Sequence, residues 1–309
     1  MKRLIRKILL GDTPVSEYST VTVKDEIIER VYLEVGDIKK DISNTHWLLC
    51  LSPIVFGVWF AKNEDTLFTG SQLLQKMHFK DSEPSGIDIA VLELKLFARI
   101  EEEDGTLILL KLDKVSIKHI SRLRTWVLFQ RYYKKPEQDF YKLKSYSAAY
   151  SYPRKVRLIS FKEDNWFNIF PMDLVGDIPM SKRYVFGLRH SNVTLARIIE
   201  TKKMVVSEIP YQFKDIIYQL GKHHHQPLSD TKPPFDLIQT DIFGFPIPAW
   251  AISYKEIEIV KTLNLGSHML LWGEEINARN LSGPSSHLYH IHFLHYLHQK
   301  RKEQAYPLI

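Results

Sequence analysis

Val156-Arg157-Leu158-Ile159-Ser160-Phe161, then Lys162-Glu163-Asp164-Asn165, then Trp166 to Val175, is the stretch whose reading decides the fold. The first run alternates, the four polar residues make a turn, and the second run is extended again, which is the signature of a β-hairpin. A third run, Tyr184-Val185-Phe186-Gly187-Leu188-Arg189, stops at His190-Ser191-Asn192. Beyond it Leu195, Ile198 and Ile199 fall at helical spacing, so a strand delivers Arg189 to the start of a helix. The first N–H groups of a helix lack intrahelical acceptors and carry the positive end of its dipole, so an anion is stabilised there. Arg189, Ser191 and Thr194 would add donors suited to a phosphate. On the residues alone a second reading stays open, in which Ser191 or Asn192 is only an N-cap and Arg189 a solvated strand end.

The order Asn168-Ile169-Phe170-Pro171-Met172-Asp173-Leu174-Val175-Gly176, Tyr184 to Arg189, Ser191 to Glu200 and Met204 to Pro210 resembles the flavin reductase-like (flavoredoxin-like) FMN-binding split-barrel family. Gly266-Ser267-His268 followed by Met269-Leu270-Leu271-Trp272-Gly273-Glu274 is similar to that family's Gly-Asp-His turn and apolar strand, with Ser267 in place of the Asp. The resemblance implies a mainly β (α+β) fold: a six-stranded antiparallel Greek-key split β-barrel with flanking helices over residues 149–309. It implies FMN, with FAD as the alternative, held by Asn168, Phe170, Pro171, Met172, Asp173, Leu174 and Val175 on one side. Arg189, His190, Ser191, Asn192 and Thr194 would hold it on the other. His268 would lie near the flavin as the catalytic residue, NAD(P)H would be a transient co-substrate reducing an electron acceptor through the flavin, and the protein would be a homodimer. Phe170 to Asp173 is bulkier than the family's floor, and Leu220 to His225 lacks its Cys-Gly and Ser-Gly-Arg pattern. The competing expectation is a non-catalytic flavin-binding or ligand-binding barrel.

Composition narrows the rest. Of 309 residues, 44% are apolar and 25% charged, an ordinary globular balance that excludes disorder. The net charge of +6 comes from 42 basic and 36 acidic residues scattered along the chain, so nucleic acid is not an expected partner. Cys50 is the only cysteine, which rules out an intrachain disulfide and a thiolate metal cluster and points to the cytoplasm. Ile8-Leu9-Leu10 is too short for a signal-peptide core, and the apolar run Trp47 to Ala61 falls short of a membrane span.

Residues 1–148 read as a β-rich amino-terminal domain without assignable chemistry. Strands are expected at Val31 to Val35, Trp47 to Leu51, Ile54 to Phe60, Ile87 to Ile100 and Leu107 to Val115, with Asp104-Gly105 as a hairpin turn. Helices are expected at Leu73 to Met77 and Lys118 to Leu128, and a linker at Tyr132 to Pro153. Val55-Phe56-Gly57-Val58 with Asn63, Thr66 and Leu67 echoes Val185-Phe186-Gly187-Leu188 with Asn192, Thr194 and Leu195. That echo is either a second copy of the same barrel or a coincidence of two buried strands. The histidines at 223–225 and at 287, 290, 292, 295 and 298 show no convergence, so no metal site is assigned.

Overall fold

Alternation of apolar and polar residues makes most of this chain extended. In Arg30–Val35 the side chains of Val31, Leu33 and Val35 are buried while their neighbours are half-buried, the two-residue period of a sheet with one inner face. The computed structural model describes residues 10, 18–23, 26–62, 64, 74–82, 86–132, 139–283 and 286–309. Strands in the first half are β1 (Tyr18–Val23), β2 (Arg30–Val35), β3 (Ile38–Asp41), β4 (His46–Leu51), β5 (Ile54–Ala61), β6 (Gln75–Lys80), β7 (Asp88–Glu102) and β8 (Gly105–Ile117). Those in the second half are β9 (Arg154–Lys155), β10 (Arg157–Glu163), β11 (Trp166–Met172), β12 (Val175–Asp177), β13 (Arg183–Arg189), β14 (Lys203–Glu208), β15 (Leu237–Gln239), β16 (Pro246–Pro248), β17 (Ser253–Asn264), β18 (His268–Asn280) and β19 (His287–His292).

The chain divides into two compact units, Met1–His46 with Phe56–Arg154 and Tyr289–Leu308, and Trp47–Val55 with Lys155–Leu288 and Ile309. This replaces the single cut expected after residue 148. The segment Trp47–Val55 belongs to the second unit, and the last stretch of chain returns to the first.

In the second unit one antiparallel sheet runs β11-β10-β14-β17-β18-β13-β12. Its two edges, β11 and β12, are joined by only Asp173-Leu174. Seven strands laid flat would hold their edges about 29 Å apart, whereas the three peptide steps from Met172 to Val175 reach at most about 11 Å. The sheet must therefore curl until its edges meet, and it does so with seven strands, not the six expected. Val156, Leu158, Ile169, Ile209, Ile217 and Leu220 form part of its core, each such aliphatic side chain contributing about 1.5–3 kcal/mol by leaving water.

The other seven-stranded sheet runs β3-β2-β6-β7-β8-β5-β4 and lies mostly in the first unit, with β4 from Trp47 onward and the first two residues of β5 counted in the second; its edges are joined by Ile42–Thr45. Taken in chain order, both sheets read second-first-fifth-sixth-seventh-fourth-third. Their long hairpins carry the same irregularities. Asp113 and then Phe97 are extra residues between β7 and β8, and Ile276 and then Val260 are extra between β17 and β18, with the two register shifts three residues apart in each. Val55-Phe56-Gly57 and Val185-Phe186-Gly187 lie on, respectively, β5 and β13, the fourth strand of each set. The amino-terminal unit thus repeats the carboxyl-terminal one. Of the flanking echo, Asn63, Thr66 and Leu67 lie outside the described residues.

Three local expectations change. Gln75–Lys80 is a strand with Gln75, Met77 and Phe79 inward, so the helix expected up to Met77 is absent there, and Leu73 lies outside the described residues. The helix expected from Lys118 begins at Arg122 and runs to Tyr132. Within the expected linker, Phe140–Ala149 is a helix, capped by the Asp139 carboxylate accepting from the Lys142 N–H at 2.7 Å. Its buried positions include Ser145, Ser147, Ala148 and Ala149, residues too small or polar to give an apolar stripe. In the first unit Glu29, fully buried, accepts from His295 Nε2 at 2.9 Å, Tyr306 Oη at 2.6 Å and Gln299 Nε2.

Candidate functional site

The antiparallel register of β13 and β18 sets Arg189 opposite His268, so two motifs nearly eighty residues apart meet at one rim of the second barrel. The turn before His268 needs Gly266, whose φ is +118° and whose Cβ would lie 2.5 Å from Pro53 Cδ. Ser52 clasps this turn: its carbonyl accepts from the Ser267 N–H at 2.7 Å and its N–H donates to Ser267 Oγ at 3.0 Å. Ser267 Oγ lies 2.8 Å from His268 Nδ1, and Cys50 Sγ lies 3.6 Å from the same nitrogen. His268 is buried and its pKa falls to about 3, first because burial penalises the charged ring, then because Arg189 and His190 repel a second cation, with Asp173 opposing them. It is a neutral imidazole near pH 7, and its buried Nε2 has no hydrogen-bond partner among the described residues.

His224 belongs to the same electrostatic group. Its Nδ1 accepts from Asn192 Nδ2 at 2.9 Å and its Nε2–H donates to the Pro171 carbonyl at 2.9 Å, an arrangement that requires the neutral ring. Burial accordingly lowers its pKa to about 4, with Arg189 adding to the shift. No sequence signal singled out His224 from its neighbours, because its partners lie 32 and 53 residues away.

The predicted cofactor residues separate into two groups. Arg189, His190 and Ser191 are exposed at the rim, and Pro171 and Asp173 are half-buried beside it. Asn168, Phe170, Met172, Leu174, Val175, Asn192 and Thr194 are buried in the barrel's own packing. Asn168 is wholly committed: Nδ2 donates to Thr194 Oγ1 at 2.8 Å and the His223 carbonyl at 2.7 Å, while Oδ1 accepts from Ile169 and Leu228 N–H at 3.1 Å each. The helix, Leu195–Thr201, has only seven residues, and donors at its start are already used. Val193 N–H donates to His224 O, Thr194 N–H to Asn192 Oδ1 and Leu195 N–H to Asn192 O. An anion here would rest on the Arg189 side chain and not, as the junction suggested, on the helix start.

Two glycines show what covers the strands behind the rim. A Cβ on Gly176 would lie 2.3 Å from the Trp47 indole, and one on Gly187 would lie 1.9 Å from the Leu49 carbonyl oxygen. The seats left by the missing side chains of Gly176 and Gly187 are thus filled by the chain's own segment Trp47–Val55, which sequence reasoning did not connect with them. Among the described residues no group of three or more His, Cys, Asp or Glu side chains is placed to hold a metal ion. None of their helices is long and apolar enough to cross a membrane.

Both units are mainly β, each a curled antiparallel sheet with few helices, consistent with a split-barrel fold. No family model matches the sequence, and no curated protein matches it. Solved structures similar to it include FMN-binding proteins and flavin reductases. An FMN-binding protein from Thermus thermophilus is 18% identical over 43% of this chain and 73% of its own, with a TM-score of 0.38. An NADH:FAD oxidoreductase of Streptomyces globisporus is 13% identical over 50% and 87%, at 0.42. A flavoredoxin from Methanosarcina acetivorans is 18% identical over 41% and 69%, at 0.37.

Proposed function

We propose that the carboxyl-terminal barrel binds a flavin nucleotide, FMN or FAD, at the rim formed by Arg189, His190, Ser191, Asp173 and His268, and serves flavin-linked oxidoreduction. The observation that carries this reading is the convergence of Arg189 and His268 on adjacent strands, with His268 buried, neutral and holding an unpartnered Nε2. Arg189 supplies the fixed positive charge for a phosphate. His268 can offer one ring hydrogen bond without adding charge, since Ser267 occupies its other nitrogen. A flavin bound there supplies the hydride chemistry, and NAD(P)H would reach it transiently, as this chain has no Gly-x-Gly-x-x-Gly turn for a dinucleotide. Titration of the purified chain with FMN, followed by flavin fluorescence, tests the reading. Arg189→Ala should weaken binding roughly tenfold or more, by removing a charge-assisted contact. Unchanged affinity would remove Arg189 from the site.

A second reading, a barrel that carries a flavin or another ligand without turnover, is favoured by the filling of the Gly176 and Gly187 seats by Trp47 and Leu49. NAD(P)H oxidation with an electron acceptor separates the two. Flavin binding with no NAD(P)H consumption selects the carrier, and steady consumption selects the reductase.

A further inference from the structure

In the first unit the helix Arg122–Tyr132 turns Leu128 and Phe129 into a core cluster with Leu143, Phe293, Leu294 and Leu297. Thr125, three residues before Leu128, is buried on the same side. Helical spacing puts Leu123, Trp126 and Gln130, at i, i+3 and i+7, on the opposite side, where a surface helix normally shows polar residues to water. Yet Leu123 is 73% exposed and Trp126 50%. Arg122 and Arg131, both exposed, fall on the two flanks of this apolar ridge.

The charge around the ridge is equally one-sided. The whole chain nearly balances 42 basic residues with 36 acidic ones, but Val115 to Pro136 holds Lys118, Arg122, Arg124, Arg131, Lys134 and Lys135 and no Asp or Glu. Lys134 and Lys135 lie outside the described residues. Among the described residues Lys118, Arg122 and Arg131 have no carboxylate partner. Lys144, on the helix Phe140–Ala149, finds only a neutral acceptor, its Nζ donating to the Val115 carbonyl at 2.8 Å. Its pKa is lowered first by burial and then by Arg122 and Lys118, so the three cations lie within one another's field.

We propose that the outer side of the helix Arg122–Tyr132 docks on an anionic phospholipid bilayer, lying on the membrane surface without crossing it, and that it does so independently of the flavin reading. Leu123 and Trp126 enter the layer between headgroups and acyl chains, where an indole meets an apolar medium on one side and water on the other. Arg122, Arg131 and Lys118 stay level with the lipid phosphates. Nucleic acid fits this face less well, because Leu123 gives a base nothing to stack on and a convex helix gives the strand no groove to follow. A second copy of the chain also fits less well, since pairing the same helix antiparallel would set Arg122 against Arg131.

Flotation of the full chain with vesicles of equal parts phosphatidylcholine and phosphatidylserine tests this, against vesicles of phosphatidylcholine alone. Binding to the mixed vesicles is expected at about 0.1 M salt, falling at about 0.5 M, with little binding to the neutral vesicles. Leu123→Gln together with Trp126→Gln should weaken it roughly tenfold or more, and Arg122→Gln or Arg131→Gln roughly fivefold each. All four side chains are exposed, so the urea midpoints of these variants should match the parent's, which separates lost binding from lost folding. Trp126→Phe should still float but lose the change in intrinsic fluorescence that accompanies binding. Arg189→Ala should float as the parent does, so failure here is distinguishable from failure of the flavin site. Equal binding to both kinds of vesicle, or full binding by the Leu123 and Trp126 double variant, would overturn the proposal. Absence of flotation would overturn it as well, in favour of nucleic acid if the double variant loses a single-stranded oligonucleotide that the parent retains, and in favour of a second copy if it splits a dimer in sedimentation.

Discussion

The two barrels share a strand order and a pair of β-bulges, yet at matching positions they hold opposite chemistry. The second unit buries Arg157 against Glu208 and Asp177 at 2.7 and 2.8 Å, whereas the shared register gives the first unit Val31 and Phe79 where the second has Arg157 and Glu208. Hydrogen-bond register is a property of the backbone and survives a change of side chain. What a position does is decided by the side chain and its burial.

The comparison can be broken most severely at the glycines. Gly187→Ala should cost more than about 4 kcal/mol, because the new methyl meets a carbonyl oxygen of Leu49 that cannot rotate away. Gly105→Ala is the matched test in the first unit, where Phe60 O would lie 2.3 Å away. Urea unfolding reads both, and a Gly187→Ala chain within about 1 kcal/mol of the parent would mean that Leu49 does not lie on that strand.

Next in size is the ionic cluster. Burial works against the charges of Arg157 and Glu208, but their pairing, with Lys155 also beside Glu208, holds the Glu208 carboxyl below the usual range and the Arg157 guanidinium above its own. Arg157→Met should cost about 3–5 kcal/mol by leaving Glu208 short of its partner. Copying the first unit with Arg157→Val and Glu208→Phe together should recover much of that loss. A double variant no more stable than the single one would argue that the two barrels have diverged in packing as well as in charge.

The smallest effect is one the barrels have in common. Burial lowers His46 and His119 to about 3 in the first unit, and His268 to about 3 and His224 to about 4 in the second. Unfolded histidines titrate near 6.5, so below that pH the unfolded chain binds more protons and stability falls as pH falls toward the folded values. Between pH 6.5 and 5 each histidine should contribute a loss of up to about 2 kcal/mol. Thermal unfolding across this window should show a shallower slope for His268→Gln, and an unchanged slope would mean that His268 is not neutral in the fold.

The hairpin at Val156 to Val175 and the strand ending at Arg189 were legible because their signals are local: alternation, a polar turn and a change of period. Meeting of Arg189 with His268 followed from matching two motifs to a family pattern, although each alone is short. Trp47 over Gly176 could not be read, since 129 residues separate them and nothing in either marks the other. The Phe140–Ala149 helix was hidden by its small buried face, and Gln75–Lys80 by the apolar residues just before it, which suggested a helical turn. The repeat was visible only as a short echo, Val55-Phe56-Gly57-Val58 with Asn63, Thr66 and Leu67, because most inward positions need only be apolar, whatever their identity.

Glu29 shows how the order of synthesis bears on the first unit. The imidazole of His295 that answers its carboxylate emerges 266 residues later, followed by Gln299 and Tyr306. A nascent chain therefore carries an acid that its sheet would have to bury unanswered, and the amino-terminal barrel, although made first, has every reason to be the last to close.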